Sequence, residues 1–177
     1  MNYTTIPKSI CQFQTGNGKP IDIYVWATIK CKSDYKTSVS HITEDGLSQI
    51  TGVNIRTVKR SIQRLKECGA MQVTTQIIDG CKRRNTYYIA DTQTNFYIVD
   101  NRFFTKNRPP KIAGFLLLLK AICLNNTNTI LWNIGQIADA VGMNRNTVSS
   151  LIKECCRLGL IQTIPNGYEI TETCFIN

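Results

Sequence analysis

The chain has 177 residues, 42% hydrophobic and 19% charged, which is enough for one medium-sized or two small folded domains and too apolar for a disordered protein. Its 21 Lys and Arg residues outnumber 12 Asp and Glu residues, and the net charge of +9 favours a polyanionic partner, nucleic acid before an anionic membrane. The longest apolar run, residues 112–119, is far shorter than the roughly 20 residues that span a bilayer. Because the N-terminus also lacks the apolar stretch of a signal peptide, we expect a cytoplasmic protein with no membrane partner.

The first predicted elements are three helices separated by short loops. Pro20 suits the first turn of a helix, and apolar residues follow it at helical spacing. Thr43 is a good N-cap for a short second helix, which ends at Gly52. A tight turn then leads to a third helix, capped by Asn54 and closed by Gly69.

A β-hairpin is predicted after the third helix. The segments AMQVTTQII and TYYIA are rich in β-branched and aromatic residues. Between them lie a turn at Asp79 and Gly80 and the basic stretch CKRRN. The order helix, short helix, tight turn, helix and hairpin is typical of a winged helix-turn-helix domain, in which the hairpin is the wing.

The chain also contains an internal repeat. Residues 20–72 align without a gap with residues 110–162, at an offset of 90. Identical pairs in this alignment are Pro20/Pro110, Lys30/Lys120, Gly52/Gly142, Asn54/Asn144, Thr57/Thr147, Val58/Val148, Ile62/Ile152, Gly69/Gly159 and Gln72/Gln162. Upstream, Phe13/Phe103, Thr15/Thr105 and Asn17/Asn107 fall on the same offset. A chance match would not keep one register through three predicted helices.

The second copy repeats the predicted layout. Its helices begin near Pro110, Asn133 and Asn144, and its hairpin turns at PNG, with a wing about nine residues shorter than the first and no basic tip. We therefore predict a mainly α protein with small β-hairpin wings, an α+β fold. It would consist of two winged helix-turn-helix domains in tandem, residues 1–90 and residues 91–177, joined near residues 91–95.

The eight cysteines do not form the pattern of a metal site. No two of them are spaced as CxxC, and His41 is the only histidine. Within the repeat, Cys155 aligns with Leu65 and Cys31 with Ala121, so cysteine replaces apolar residues. We expect a reducing compartment, no metal and no cofactor.

Two segments of the first copy, GVNIRTVKRSIQRLKECGAMQV and KRRNTYYI, resemble the helix-turn-helix core and wing of phage and plasmid replication-initiation proteins and of related winged-helix regulators. That family has a Gly-apolar-Ser/Asn turn before a Thr-Val pair and a buried Ile/Leu pair. The segment GMNRNTVSSLIKECCRLGLIQT of the second copy is similar to the same pattern. The resemblance covers most of both copies and implies DNA binding, in replication initiation or in transcription regulation.

The third helix of the first copy is the predicted recognition helix. Burial of Val58, Ile62 and Leu65 would turn the opposite face toward a major groove, which admits an α-helix. Residues 54–66 include five basic residues and no acidic residue. The expected DNA contacts are Asn54, Ile55, Arg56, Thr57, Lys59, Arg60 and Arg64, with Lys82, Arg83 and Arg84 of the wing on the backbone or in a minor groove.

The second copy offers a more polar surface. The corresponding outward positions are Asn144, Arg145, Asn146, Thr147, Ser149, Ser150 and Lys153. Residues 1–90 carry a net charge of +7 and residues 91–177 a net charge of +2. Since phosphate contacts dominate nonspecific affinity, the first copy should supply most of it. The second copy would add sequence specificity, or would instead dock a partner protein or a second copy of the chain.

Other functional classes have less support in the sequence. There is no GxxxxGK[ST] phosphate-binding loop and no evident nucleophile with its base, so we expect no enzymatic activity. RNA is a poorer partner because the deep, narrow major groove of its A-form helix excludes a recognition helix. The sequence therefore predicts a nucleoid-associated protein that binds double-stranded DNA sequence-specifically. The alternative is a protein-protein adaptor in which the second winged helix docks a partner.

Overall fold

The computed structural model describes residues 2–78, 82–89, 95–124 and 127–176, and for Lys82 and Arg83 it describes the backbone alone. Within these ranges the protein is a mixed α/β structure with six α-helices and three small antiparallel sheets. The helices are α1 (Lys19–Cys31), α2 (Glu44–Thr51), α3 (Ile55–Glu67), α4 (Pro110–Ala121), α5 (Ile134–Val141) and α6 (Arg145–Arg157). The predicted junction at residues 91–95 lies almost wholly outside the described residues.

The strands form three sheets of three strands each in the described part of the chain. The first half contributes β1 (Tyr3–Pro7), β2 (Val39–Ser40), β3 (Gln72–Ile78) and β4 (Lys82–Tyr88). The second half contributes β5 (Phe96–Asp100), β6 (Thr129–Ile130), β7 (Ile161–Ile164), β8 (Gly167–Ile170) and β9 (Phe175–Ile176). The sheet orders are β2-β4-β3, β6-β8-β7 and β1-β5-β9.

The same order of elements occurs in both halves. A strand, a 3₁₀ turn, a helix, a short strand, two helices and a hairpin follow one another twice. The elements β2, α2 and α3 begin and end 90 residues before β6, α5 and α6. The glycines of the tight turns, Gly52 and Gly142, both have positive φ angles, 68° and 62°, which a residue with a Cβ adopts only at a cost.

Upstream of α1 the register of the repeat changes. The strand β1 and its 3₁₀ turn (Lys8–Gln12) precede β5 and its 3₁₀ turn (Asn101–Thr105) by 93 residues. A second 3₁₀ turn, Gly16–Gly18, lies between the first turn and α1 and accounts for the longer connection. The upstream identities at an offset of 90, such as Phe13/Phe103, therefore do not join equivalent structural positions.

The sheet β1-β5-β9 was not foreseen from the sequence, and it joins the two halves. In it β1 pairs antiparallel with β5, so that Tyr3 lies opposite Asp100, Thr5 opposite Ile98 and Pro7 opposite Phe96. The two strands are equivalent at an offset of 93 residues. The central pair of the register, Thr5 and Ile98, therefore consists of two equivalent residues. A rotation of 180° through that pair therefore exchanges β1 with β5.

The two equivalent helices α1 and α4 also pack against each other. The contact is closest at Gly114 of α4, where a Cβ atom would lie 1.6 Å from the carbonyl oxygen of Pro20. On the facing helix Tyr24 stacks on Phe104, with ring planes 9° apart, and meets the edge of Phe103. These buried side chains belong to one apolar cluster that includes residues of both halves.

The 3₁₀ turns make reciprocal contacts between the halves. The turn after β1 packs on α4 and α5, and the turn after β5 packs on α2 and, through its two phenylalanines, on α1. The buried ammonium of Lys19 donates to the carbonyl of Cys11 and lies beside Gly142 at the C-terminal end of α5, where helix carbonyls favour a cation. Each half therefore covers part of the other.

Ion pairs to the buried carboxylate of Glu172 fix the C-terminal segment. The carboxylate of Glu172 accepts from Lys106 Nζ at 2.6 Å and from Arg108 Nη2 at 2.7 Å, and the Arg108 guanidinium lies 4.5 Å from the centre of the Phe103 ring. Burial acts to raise the pKa of Glu172, but the two cations outweigh it and hold that pKa at about 2.

The described cysteines form no disulfides. Cys155 and Leu65, which align in the repeat, are both fully buried, and burial raises the pKa of the Cys155 thiol to about 12. At this position cysteine occupies a core site as a neutral apolar group. In the described part of the chain no helix is long and apolar enough to cross a membrane.

Replacement of Gly114 by Ala should destabilise the protein by about 1–3 kcal/mol or more, because the new methyl group would force α1 and α4 apart. An alanine in a helix is otherwise favoured over glycine by about 1 kcal/mol. The expected change in unfolding free energy is therefore opposite in sign to the one that helix propensity alone predicts. Urea unfolding of G114A measures the effect, with G135A in α5 as the control, since its Cβ would meet only the Asn133 side chain. Equal stability of G114A and wild type would contradict the close packing.

Replacement of Glu172 by Gln should cost about 3 kcal/mol at pH 7, because the lowered pKa of Glu172 stabilises the folded state wherever the carboxyl is ionised. That contribution is complete above the ordinary pKa of about 4.5 and is lost as the pH falls toward about 2. The difference in unfolding free energy between wild type and E172Q should therefore shrink by roughly 2 kcal/mol between pH 7 and pH 3. Parallel pH profiles would show that the fold does not depend on this charge.

Candidate nucleic-acid interface

The orientation of α3 is set by a cap at its start and by an apolar face along its length. The side chain of Asn54 accepts a hydrogen bond from the Thr57 N–H at 2.9 Å, which satisfies one of the free donors of the first turn. Val58, Ile62 and Leu65 are buried in the core. The three residues expected to face inward therefore do so, and the opposite side of α3 faces solvent.

The exposed face of α3 is strongly basic. Arg56, Lys59 and Arg60 are exposed within its first two turns, and Ile55 beside them is 38% exposed. Thr57 is half-buried. Lys59 lies 3.5 Å from Glu44 of α2, in an ion pair that leaves 59% of the lysine side chain exposed. A pair this open to solvent holds its partner weakly.

Arg64 has a different environment from the other basic residues of α3. Its guanidinium donates two hydrogen bonds, of 2.8 and 2.6 Å, to the carboxylate of Asp22 in α1. Asp22 is fully buried, and hydrogen bonding to it raises the pKa of Arg64. This side chain therefore joins α3 to α1, and we leave it out of the candidate interface.

Lys66 is a basic residue that the list of expected contacts omitted. It is exposed and follows Lys59 by seven residues, two helical turns further along the same face. Both lysines line an open cleft of about 570 Å³ between α2, α3 and the β3-β4 hairpin. The cleft is also lined by Arg84 from the hairpin and by Glu44 and Asp45 from α2.

The basic residues of the hairpin lie along β4. Lys82, Arg83 and Arg84 occupy its first three positions, opposite Ile78, Ile77 and Gln76 of β3. The Arg84 side chain is exposed. The turn predicted at Asp79 and Gly80, together with residue 81 and the side chains of Lys82 and Arg83, lies outside the described part of the structure. The backbone thus places these residues in the distal half of the hairpin.

The second half presents α6 at the equivalent position. The side chain of Asn144 caps it by accepting from the Asn146 N–H at 2.9 Å, and Val148, Leu151, Ile152 and Cys155 face the core. The exposed residues are Asn144, Arg145, Asn146, Ser150 and Lys153, whereas Thr147 and Ser149 are half-buried. The hydroxyl of Ser150 donates to the Asn146 carbonyl one turn back.

Several positively charged residues of the second half lie in ion pairs. Arg102 pairs with Asp100, Arg157 pairs with Glu154 on α6 itself, and Lys106 and Arg108 share Glu172. On α6 and at its N-cap the side chains of Asn144, Asn146 and Ser150 supply hydrogen-bonding groups beside the two cations Arg145 and Lys153. Among the described residues no group of three or more His, Cys, Asp or Glu side chains is arranged to hold a metal ion.

Comparison of the chain with protein-family models, with curated protein sequences and with solved structures found no match.

Replacement of Arg64 by Ala should lower the unfolding free energy by about 3 kcal/mol, because it leaves the buried carboxylate of Asp22 without its partner. The matched control is K66A, two residues along the same helix, whose exposed side chain should cost less than about 0.5 kcal/mol. Denaturant unfolding of both variants measures the difference. If R64A were as stable as K66A, the ion pair would not stabilise the packing of α3 on α1.

Proposed function

We propose that the protein binds double-stranded DNA with sequence specificity, as two winged helix-turn-helix units whose recognition helices are α3 and α6. The observation that carries the proposal is the basic exposed face of α3, formed by Arg56, Lys59, Arg60 and Lys66 on a helix whose other face is buried. Guanidinium and ammonium groups in this arrangement suit guanine edges and phosphates in a major groove.

The hairpin adds a second basic element beside the helix. Arg84 and the lysine pair of α3 line one cleft, so α3 and the hairpin present positive charge to the same side of the first unit. In the proposed complex α3 enters a major groove and the hairpin lies along the adjacent backbone or minor groove. A role in replication initiation or in transcription regulation fits this activity equally well.

The proposed electrostatic contact is tested by replacing Lys59 and Arg60 with Ala in the full chain. Affinity for a selected duplex should fall about 10- to 100-fold, because two groups that contact bases or phosphates are lost. If about 6–8 phosphates are contacted in all, log K should fall with log[salt] at a slope of about −5 to −7, and the double variant should flatten this slope by roughly 2. Fluorescence titration at several salt concentrations provides both numbers.

The control for net charge is the K32A/K36A variant, which removes two exposed lysines from the loop that follows α1. It should bind nearly as tightly as wild type. Equal losses in the two variants would mean that net charge alone drives binding, and the recognition-helix proposal would fail.

The second candidate function is a protein-docking role for the second unit, favoured by the low charge of α6. Replacement of Arg145 and Asn146 by Ala distinguishes the two roles. If α6 contacts bases, this variant should lose about 10-fold or more in discrimination between a selected and a scrambled duplex, because its exposed N-terminal side chains would read base edges. Unchanged discrimination would assign α6 to a protein partner or to a second copy of the chain.

A further inference from the structure

The two halves of the molecule are related by an approximate twofold axis. Three independent contacts show it. The equivalent strands β1 and β5 pair with each other about a central pair of equivalent residues. The equivalent helices α1 and α4 pack together, and the 3₁₀ turn of each half contacts the first helix and the following short helix of the other. Such an arrangement has the form of the interface of a symmetric dimer.

The same rotation relates α3 to α6, because these helices occupy equivalent places in the two halves. Two recognition helices related by a twofold axis make equivalent contacts with one duplex only if the protein axis coincides with a twofold axis of the DNA backbone. Half-sites then run in opposite directions, as in the operators of dimeric helix-turn-helix proteins. Half-sites in direct repeat would require a translation along the DNA instead.

We propose that α3 and α6 bind two inverted half-sites on a single duplex, so that one chain binds in the manner of a symmetric dimer. The inference rests on the proposed function, and it specifies the arrangement of the DNA target.

The two half-sites would differ in sequence although their geometry is symmetric. Asn54 and Thr57 of the first unit recur as Asn144 and Thr147. The residues best suited to bind bases and phosphates, however, differ between the two units. Arg56, Lys59 and Arg60 correspond to Asn146, Ser149 and Ser150. A natural target would therefore not read as a palindrome, and its inverted arrangement would be hidden.

Making the two recognition surfaces alike reveals the arrangement. The variant Arg145→Ile/Asn146→Arg/Ser149→Lys/Ser150→Arg gives α6 the side chains of α3 at positions that are exposed or half-buried. Wild type and variant, each as the full chain, are used to select duplexes from a random pool. Synthetic duplexes then carry the preferred element twice, inverted or direct, with spacers covering at least one helical turn of about 10 base pairs.

Wild type should select two unlike elements at a fixed spacing. The variant should select the α3 element twice in inverted orientation, and at the best spacing it should bind the inverted duplex at least 10-fold more tightly than the direct one. Circular dichroism melting checks that the variant is folded. If it is not, the pair Ser149→Lys/Ser150→Arg alone should shift the preference in the same direction.

Two results would overturn the inference. One is a preference of the variant for direct repeats, and the other is selection of a single element by both proteins. Either would leave DNA binding by α3 intact. Failure of wild type to retain any duplex at moderate salt would instead overturn the proposed function itself.

Discussion

The contact of α1 with α4 is the constraint on which the rest of the molecule depends. Gly114 brings the two helices so close that a single methyl group would collide with the backbone at Pro20. Each of these helices also supports the proposed recognition helix of its own half, most directly through the Asp22–Arg64 pair between α1 and α3. The separation and relative orientation of α3 and α6 therefore follow from one helix crossing together with the β1-β5 pairing.

The sequence was most informative where spacing within one half decides the structure. Periodicity, capping residues and turn glycines located the six helices, and the offset of 90 predicted the equivalent positions of α2/α5 and α3/α6. Helical spacing also identified Val58, Ile62 and Leu65 as the buried side of α3. These features are local, so neighbouring residues carry enough signal.

The features that the sequence did not predict depend on residues far apart in the chain. The sheet β1-β5-β9 joins strands from the beginning, middle and end of the chain, and none of the three has a strong alternating pattern. The engagement of Arg64 could not be foreseen because its partner Asp22 lies 42 residues away. Similarly, no local pattern in the sequence pairs the charges of Lys106 and Arg108 with Glu172, which a loop near the C-terminus brings to them.

The difference between Tyr24 and its equivalent residue Gly114 has a consequence for how such an interface can vary. These residues occupy equivalent positions in the two halves, yet one is an aromatic side chain stacked on Phe104 and the other has no side chain at all. A homodimer has one gene for both sides of its axis, so any substitution there appears twice and must be compatible with itself. A chain that encodes both sides can carry an aromatic side chain at one position and no side chain at the equivalent position. For the same reason it can change the exposed faces of α3 and α6 independently, while the symmetric frame that holds them stays fixed.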